Sequence, residues 1–124
     1  MSSEQNKIKD FTDLVAWQEA QKLLLMVYKV TKKFPKDELF SLTSQIRRAA
    51  VSVTSNIAEG FGRSSKKDKI HFYNIAHSSV DEIRSQLFAA RDLGYIDEVT
   101  HTQVSQQAVK SLKIIIGLIR SIKD

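Results

Sequence analysis

The chain has 124 residues, of which 42% are hydrophobic and 27% are charged, so it can form one domain with a buried core. It contains no cysteine, which excludes a disulfide framework and a thiolate metal site. Four glycines and one proline are too few for the frequent turns of a β-sandwich or a β-barrel. The formal net charge of +5 permits nucleic-acid binding, although many basic proteins bind none.

The sequence predicts neither a membrane span nor a secretion signal. The longest dense apolar stretch, Leu112 to Ile119, is interrupted by Lys113 and is far shorter than the roughly 20 residues that cross a bilayer. Residues 2–10 are mostly polar and lack the apolar core of a signal peptide. We therefore expect a cytoplasmic protein with no membrane partner.

Apolar residues recur in four segments at the three- and four-residue spacing of an amphipathic α-helix. The core stripe predicted for the first helix comprises Leu14, Trp17, Ala20, Leu24, Tyr28 and Thr31. Thr12 or Asp13 is its predicted N-cap. The helix ends before Pro35, because the residue that precedes a proline avoids the α region. The core stripe predicted for the second helix comprises Leu42, Ile46, Ala49, Val53, Ile57 and Gly60.

The third and fourth helices follow the same pattern. The core stripe predicted for the third comprises Phe72, Ala76, Val80, Ile83, Leu87 and Ala90. Ser65, with Asp68 three residues later, is its predicted N-cap, and Gly94 closes it. The core stripe predicted for the fourth comprises Val104 or Ser105, Ala108, Leu112, Ile115, Ile119 and Ile122.

The connections between these helices are short and lie near residues 34–37, 62–65 and 94–97. Short connections require consecutive helices to run antiparallel. We therefore predict an all-α protein, an antiparallel up-down-up-down four-helix bundle over residues 11–124. Residues 1–10 are expected to form a flexible N-terminal tail.

Several apolar residues fall outside the predicted core stripes. On the fourth helix, apolar side chains surround most of the circumference, which is typical of a helix that is buried on more than one side. In so small a bundle, we expect the second surface to contact another copy of the chain. The predicted interface residues of this homo-oligomer are Leu25, Met26, Ile114, Ile116 and Leu118.

A row of polar residues follows the second helix at about 100° from its core stripe. The row comprises Gln45, Arg48, Ser52, Asn56, Glu59 and Arg63. Arg63 follows Glu59 by four residues, so these side chains are expected to pair, and Glu82 on the third helix is placed to join them. We favour a structural polar seam over a polar ligand pocket, because partly buried charges must be paired. The seam residues are Arg48, Asn56, Glu59, Arg63 and Glu82.

The residues indicate no catalytic site, and we expect no enzymatic activity, no cofactor and no metal. Glu98 and His101 have the Glu-x-x-His spacing of di-metal carboxylate bundles, but those sites need two such motifs and two further glutamates. The three histidines share no metal-ligand spacing; they are His71, His77 and His101.

Two groups of basic residues are the candidate nucleic-acid contacts. The first, on the face of the first helix opposite Leu24, comprises Lys22, Lys29 and Lys33. The second, at the start of the third helix, comprises Arg63, Lys66 and Lys67. The free N–H groups at a helix N-terminus favour an anion there. Either group is also compatible with an ordinary solvated surface.

Five blocks of the sequence are similar to a known protein family. They are Asp13 to Gln18, Phe34-Pro35-x-x-Glu38, Leu42 to Val53, Asn56-Ile57-Ala58-Glu59-Gly60-x-x-Arg63 and Ala76-x-x-Ser79-x-x-Glu82. Over about residues 11–122, the chain resembles the bacterial four-helix bundle family encoded in intervening sequences of large-subunit ribosomal RNA genes. That family includes relatives of the accessory variability determinant of diversity-generating retroelements.

The resemblance implies a left-handed antiparallel bundle that assembles into a ring, pentameric in related proteins, without known enzymatic activity. For the retroelement branch, it implies binding of nucleic acid and of a reverse transcriptase. Residues and resemblance together predict a non-enzymatic homo-oligomer that binds RNA or DNA through repeated basic faces. The alternative is an oligomeric protein–protein scaffold whose charge serves only solubility.

Overall fold

The computed structural model describes residues 7–123 and consists of four α-helices joined by short connections. The helices are α1 (Val15–Thr31), α2 (Leu42–Gly62), α3 (Lys66–Asp92) and α4 (Glu98–Lys123). Single 3-10 turns, Phe11–Asp13 and Lys36–Glu38, precede α1 and α2. The predicted all-α four-helix fold is therefore confirmed. Most of the predicted N-terminal tail, residues 1–10, lies outside the described residues, so its flexibility stays a prediction.

The helices run alternately up and down, and each packs on two others, so that α4 closes the bundle against α1. Arg47 of α2 donates a hydrogen bond from Nε to Thr31 Oγ1 at the end of α1 (2.8 Å). The hydroxyl groups of Ser52 and Ser79 join α2 to α3 (2.8 Å). At the closing seam, Gln107 of α4 donates to the carboxylate of Glu19 on α1 (3.1 Å). Within residues 7–123, no helix is both long and apolar enough to cross a membrane.

The ends of α1 and α3 show how local sequence sets the element boundaries. Ser65 Oγ accepts a hydrogen bond from the backbone N–H of Asp68 (3.1 Å), which confirms the predicted N-cap of α3. Gly94 has a φ of +79°, a conformation that glycine adopts easily, and it terminates α3. The predicted N-cap of α1 is wrong, because Leu14 occupies that position. The carboxylate of Asp13 accepts instead from backbone N–H groups that precede it, which stabilises the 3-10 turn.

The buried stripe of α1 is displaced from the prediction, whereas those of α3 and α4 follow it except at single positions. The buried residues of α1 are Ala16, Glu19, Ala20, Leu23, Val27 and Thr31. Leu24 is half-buried at the edge of this stripe. Tyr73 rather than Phe72 is buried in α3. Ser111 rather than Leu112 is buried in α4. Adjacent large or apolar residues fit two neighbouring stripes equally well, and the packing of the helices selects one of them.

The helices α2 and α3 approach each other closely at Gly60. A Cβ atom at this position would lie 2.6 Å from Tyr73 Cε1 and 3.2 Å from the carbonyl oxygen of Lys69. The Lys69 amine also donates to the carbonyl groups of Gly60 (3.3 Å) and Phe61 (2.7 Å) at the C-terminal end of α2. The absence of a side chain at Gly60 therefore allows the close approach, and the hydrogen bonds of Lys69 stabilise it.

Candidate nucleic-acid interface

Lys22, the first residue of the predicted α1 group, belongs to a cluster around the buried carboxylate of Glu19. The Lys22 amine lies 2.9 Å from Glu19 Oε2, and the amine of Lys110 on α4 lies 3.2 Å from Oε1. Gln107 Nε2 donates to Oε1 (3.1 Å) and to the Glu19 carbonyl oxygen (2.9 Å). The hydrogen bond from Gln107, followed by that from Lys22, lowers the pKa of Glu19 to about 2. Lys22 therefore has a structural partner at the α1–α4 seam.

Lys29 and Lys33 are in a different environment, exposed beside a cleft between the end of α1 and the start of α4. The cleft has a volume of about 380 Å³, and Met26 contributes to its apolar lining. Asp97 is the acidic residue of this lining. Its carboxylate accepts a hydrogen bond from the backbone N–H of Thr100 (2.7 Å), which is the main reason that its pKa is lowered. The charge of Lys33 contributes to the same lowering, so Asp97 offsets part of that charge.

The second basic group lies at the start of α3, where its three members differ in their contacts. Arg63 is paired with Glu59 (2.8 Å), which confirms the predicted pair, and its guanidinium lies 4.7 Å from the centroid of the Phe72 ring. Lys66 and Lys67 are exposed in the first turn of α3. All three cations are exposed, but within the described part of the chain only Arg63 is paired with a neighbouring carboxylate.

The structure does not bring the two basic groups together. Lys29 and Lys33 lie at the end of the bundle where α1 ends and α2 begins. Lys66 and Lys67 lie at the other end, where α2 ends and α3 begins. The 21 residues of α2 separate these ends by about 30 Å. One copy of the chain therefore presents two separate basic surfaces.

The polar row on α2 forms a seam only where its side chains are small. Asn56 Nδ2 donates to the carbonyl oxygen of Ser52 (2.8 Å) and to its Oγ (3.1 Å). The same Ser52 hydroxyl meets Ser79 Oγ of α3, as described above. Ser79 was not singled out from the sequence as a seam residue, because a serine on a helix carries no signal of its own.

The charged members of the predicted seam lie outside it. Arg48 and Glu59 are exposed on α2. The prediction that Glu82 joins Glu59 and Arg63 is wrong, because Glu82 is exposed and accepts a hydrogen bond from Gln86 of its own helix (3.0 Å). The serine hydroxyl groups fill the contact between α2 and α3, which leaves the longer charged side chains in solvent.

The predicted oligomer residues differ in exposure. Leu25 is 59% exposed, whereas Met26, Ile114 and Leu118 are partly buried against the core of the same chain. Ile116 is half-buried. Ile114 lies two turns beyond Gln107, on the flank of α4 that contacts α1, so part of the apolar circumference of α4 is covered within the bundle. Oligomerisation itself stays a prediction.

The Glu-x-x-His pair at the start of α4 does not form a shared site. Glu98 is exposed and lies 3.7 Å from Arg91. His101 is buried, packs its ring on Phe88 and places Nε2 3.3 Å from Ser105 Oγ. Among residues 7–123, no group of three or more histidine, aspartate or glutamate side chains could hold a metal ion.

A groove between α1 and α2 was not foreseen from the sequence. It has a volume of about 510 Å³ and is lined by Tyr28, Leu39, Phe40, Thr43, Ser44, Arg47, Arg48 and Val51. Phe40 lies in the irregular turn before α2, where no periodic pattern indicates which side chains are exposed. The position of Phe40 in this turn was therefore the only feature of the sequence that indicated its exposure.

Known proteins share the sequence pattern and the architecture of this chain. The model of a family described as "23S rRNA-intervening sequence protein" matches residues 12–117. The chain belongs to this family. A crystal structure of a protein with unknown function from the S23 ribosomal protein family of Bacteroides thetaiotaomicron is similar to this chain, with a TM-score of 0.79 and 21% sequence identity. The match covers 86% of this chain and 96% of the other. At 21% identity, the similarity between this 23S rRNA-intervening sequence protein and the solved structure shows only that they share a fold. No curated protein sequence matches it significantly.

Proposed function

We propose that this member of the 23S rRNA-intervening sequence protein family is a non-enzymatic accessory protein that binds the backbone of RNA or DNA. The observation that carries the proposal is the cluster of exposed cations at the end of α1. Lys29, Lys32, Lys33 and Lys36 are all exposed there, and no acidic residue lies between Ala20 and Lys36 in the sequence. Phosphate groups are the partners that such a lysine-rich surface favours, although Asp97 offsets part of its charge.

The proposal includes assembly into a homo-oligomer, as a ring in the form that the resemblance implies. Repetition of the α1 surface in several copies would let one nucleic acid contact several basic faces at once. Such binding gains affinity from avidity and carries little sequence information, because its contacts are to phosphates. Among the predicted interface residues, Leu25 on α1 has the most exposed side chain.

The retroelement relationship and a reverse-transcriptase partner are a further part of the proposal, supported by the resemblance of the sequence blocks. The alternative function is a protein–protein scaffold, which the same exposed apolar residue Leu25 favours. The two functions are distinguished by salt-dependent binding of an oligonucleotide, which only the nucleic-acid-binding function predicts.

The test is fluorescence anisotropy with labelled single-stranded and duplex oligonucleotides at several salt concentrations. Removing Lys29 and Lys33 by substitution with glutamine should weaken binding and flatten the log–log salt slope by about 0.7 to 0.9 for each lost phosphate contact. A second variant replaces Lys66 and Lys67, which removes the same charge at the opposite end of the bundle and measures the contribution of the other predicted contact group separately. Absence of wild-type binding to every oligonucleotide at low salt would refute the proposal and leave the scaffold.

A further inference from the structure

Phe40 has an exposure that the fold does not explain. It is 93% exposed, the highest value among the large apolar side chains that are exposed in the described part of the chain. It lies between the 3-10 turn Lys36–Glu38 and the start of α2, with Leu39 beside it 48% exposed. A single exposed apolar side chain is ordinary on a protein surface, but this ring also lines a groove of about 510 Å³ together with two arginines, and the groove makes it a candidate for contact with another molecule.

The chemistry of the groove beside Phe40 narrows the kind of molecule. Arg47 is fixed there, because its guanidinium lies 4.7 Å from the centroid of the Tyr28 ring and its Nε donates to Thr31. Arg48, also in the lining, is exposed. None of the eight lining residues is acidic. Exposed aromatic rings next to guanidinium groups are typical of surfaces on which nucleobases stack while cations bind the phosphates.

The position of the groove connects it to the proposed backbone contacts. It lies at the end of the bundle that carries Lys29 and Lys33. Lys32 is exposed at the C-cap of α1, where it falls on the helix circumference between Lys29 and the groove residue Tyr28. Lys32 therefore lies between the cleft and the groove, where it can bind a phosphate of a strand that contacts both.

The acidic residue nearest to Phe40 in sequence is engaged on another side of this turn. Glu38 accepts a hydrogen bond from the hydroxyl of Tyr95 (2.8 Å), which ties it to the connection between α3 and α4. Its charge is therefore directed away from the groove toward a fixed partner. Asp37, three residues before Phe40, is exposed but does not line the groove, whose charged residues are the two arginines.

We infer that Phe40 is a stacking platform for an unpaired base of a single-stranded nucleic acid, whose phosphates bind Arg48 and Lys32. The inference rests on the proposed function and deepens it, because it selects single strands over duplexes. In a duplex, each base is already stacked between its neighbours and has no free face for the ring. A second copy of this chain or a peptide is the other kind of occupant for an apolar surface, and the experiment separates these cases.

The experiment compares two labelled 12-mers, oligo-dT and an abasic oligodeoxynucleotide of the same length, by anisotropy at fixed salt. Wild-type protein should bind oligo-dT more tightly than the abasic strand, which offers phosphates without bases. Phe40→Ala should weaken oligo-dT binding by roughly 5- to 100-fold, the range for loss of one stacked base, and leave abasic binding unchanged. Phe40→Trp should retain binding. Because the ring is exposed, these variants should fold normally, which circular dichroism verifies.

Leu93→Ala, which truncates another exposed apolar side chain, is the matched control and should bind both strands like the wild type. Equal wild-type affinity for the two strands, unaffected by Phe40→Ala, would overturn the stacking inference but leave the proposed backbone binding intact. A lower oligomeric mass of Phe40→Ala in light scattering, without loss of oligo-dT binding, would also overturn it and assign Phe40 to a contact between copies. Absence of binding to either strand would overturn both proposals.

Discussion

Substitution of Gly60 by alanine tests the close contact between α2 and α3. In an open helix position, this change stabilises a protein by about 1 kcal/mol, because glycine has the poorer helix propensity. At Gly60, the new Cβ would meet Tyr73 Cε1 at 2.6 Å, and Tyr73 is only 2% exposed, so its ring has no free volume to enter. The Lys69 carbonyl oxygen at 3.2 Å blocks a compensating shift of the backbone. Overpacking of this kind costs roughly 1–3 kcal/mol, so after the gain in helix propensity we expect a net destabilisation of about 0–2 kcal/mol relative to the wild type.

The assay is urea denaturation followed by circular dichroism, with Gly117→Ala as the control. A Cβ at Gly117 meets no atom within 4 Å, so the control should gain up to about 1 kcal/mol. In a Tyr73→Leu background, Gly60→Ala should lose most of its destabilising effect, because the ring atoms that the new Cβ would contact are no longer present. If Gly60→Ala is as stable as Gly117→Ala in the wild-type background, the argument from close packing is refuted.

Three other predictions concern buried polar groups and assembly. The pKa of Glu19 is lowered in the folded state to about 2, so its stabilising contribution is present above its ordinary pKa near 4.5 and is lost as the pH falls from there to about 2. Thermal melts of wild type and Glu19→Gln should therefore differ at pH 7, by about 1–2 kcal/mol, and converge near pH 2; a constant difference would contradict this. Ser111 Oγ is buried without a hydrogen-bond partner, so Ser111→Ala should leave the urea midpoint unchanged or raise it, and a fall of more than about 1 kcal/mol in stability would contradict the assignment. Ile116→Glu should lower the oligomeric mass measured by light scattering, because a charge is costly in a dry interface; a monomeric wild type at micromolar concentration would contradict the prediction.

The fold was predictable because its determinants are local and repeated. Four apolar periodicities, few helix breakers and short connections leave little choice but an antiparallel bundle. Ser65 and Gly94 were identified as helix boundaries because the capping hydroxyl of serine and the positive φ of glycine both act within a few residues. The displaced stripe on α1 could not be predicted with the same ease, since Leu23 and Leu24 are equally apolar and only the neighbouring helices distinguish them.

The candidate site was predictable only in part. Sequence identified the basic residues, but it could not show that the Glu19 carboxylate beside Lys22 is buried, because its contacts with Gln107 and Lys110 come from α4. The Phe40 groove escaped prediction for a related reason. It joins the irregular turn before α2 to a face of α1, and the arrangement of two elements across a turn is set by packing rather than by spacing.

The closing seam of the bundle bears on the order in which the chain folds. Three of the four helix–helix contacts join helices that are consecutive in sequence, and their loops close at small entropic cost. The contact between Glu19 and Gln107 spans 88 residues, so it requires the rest of the chain to be gathered first. We therefore expect α2 and α3 to associate early and the two terminal helices to meet last. Because protonation of Glu19 below pH 4.5 weakens this contact, acidic conditions should separate α1 from α4 before α2 separates from α3.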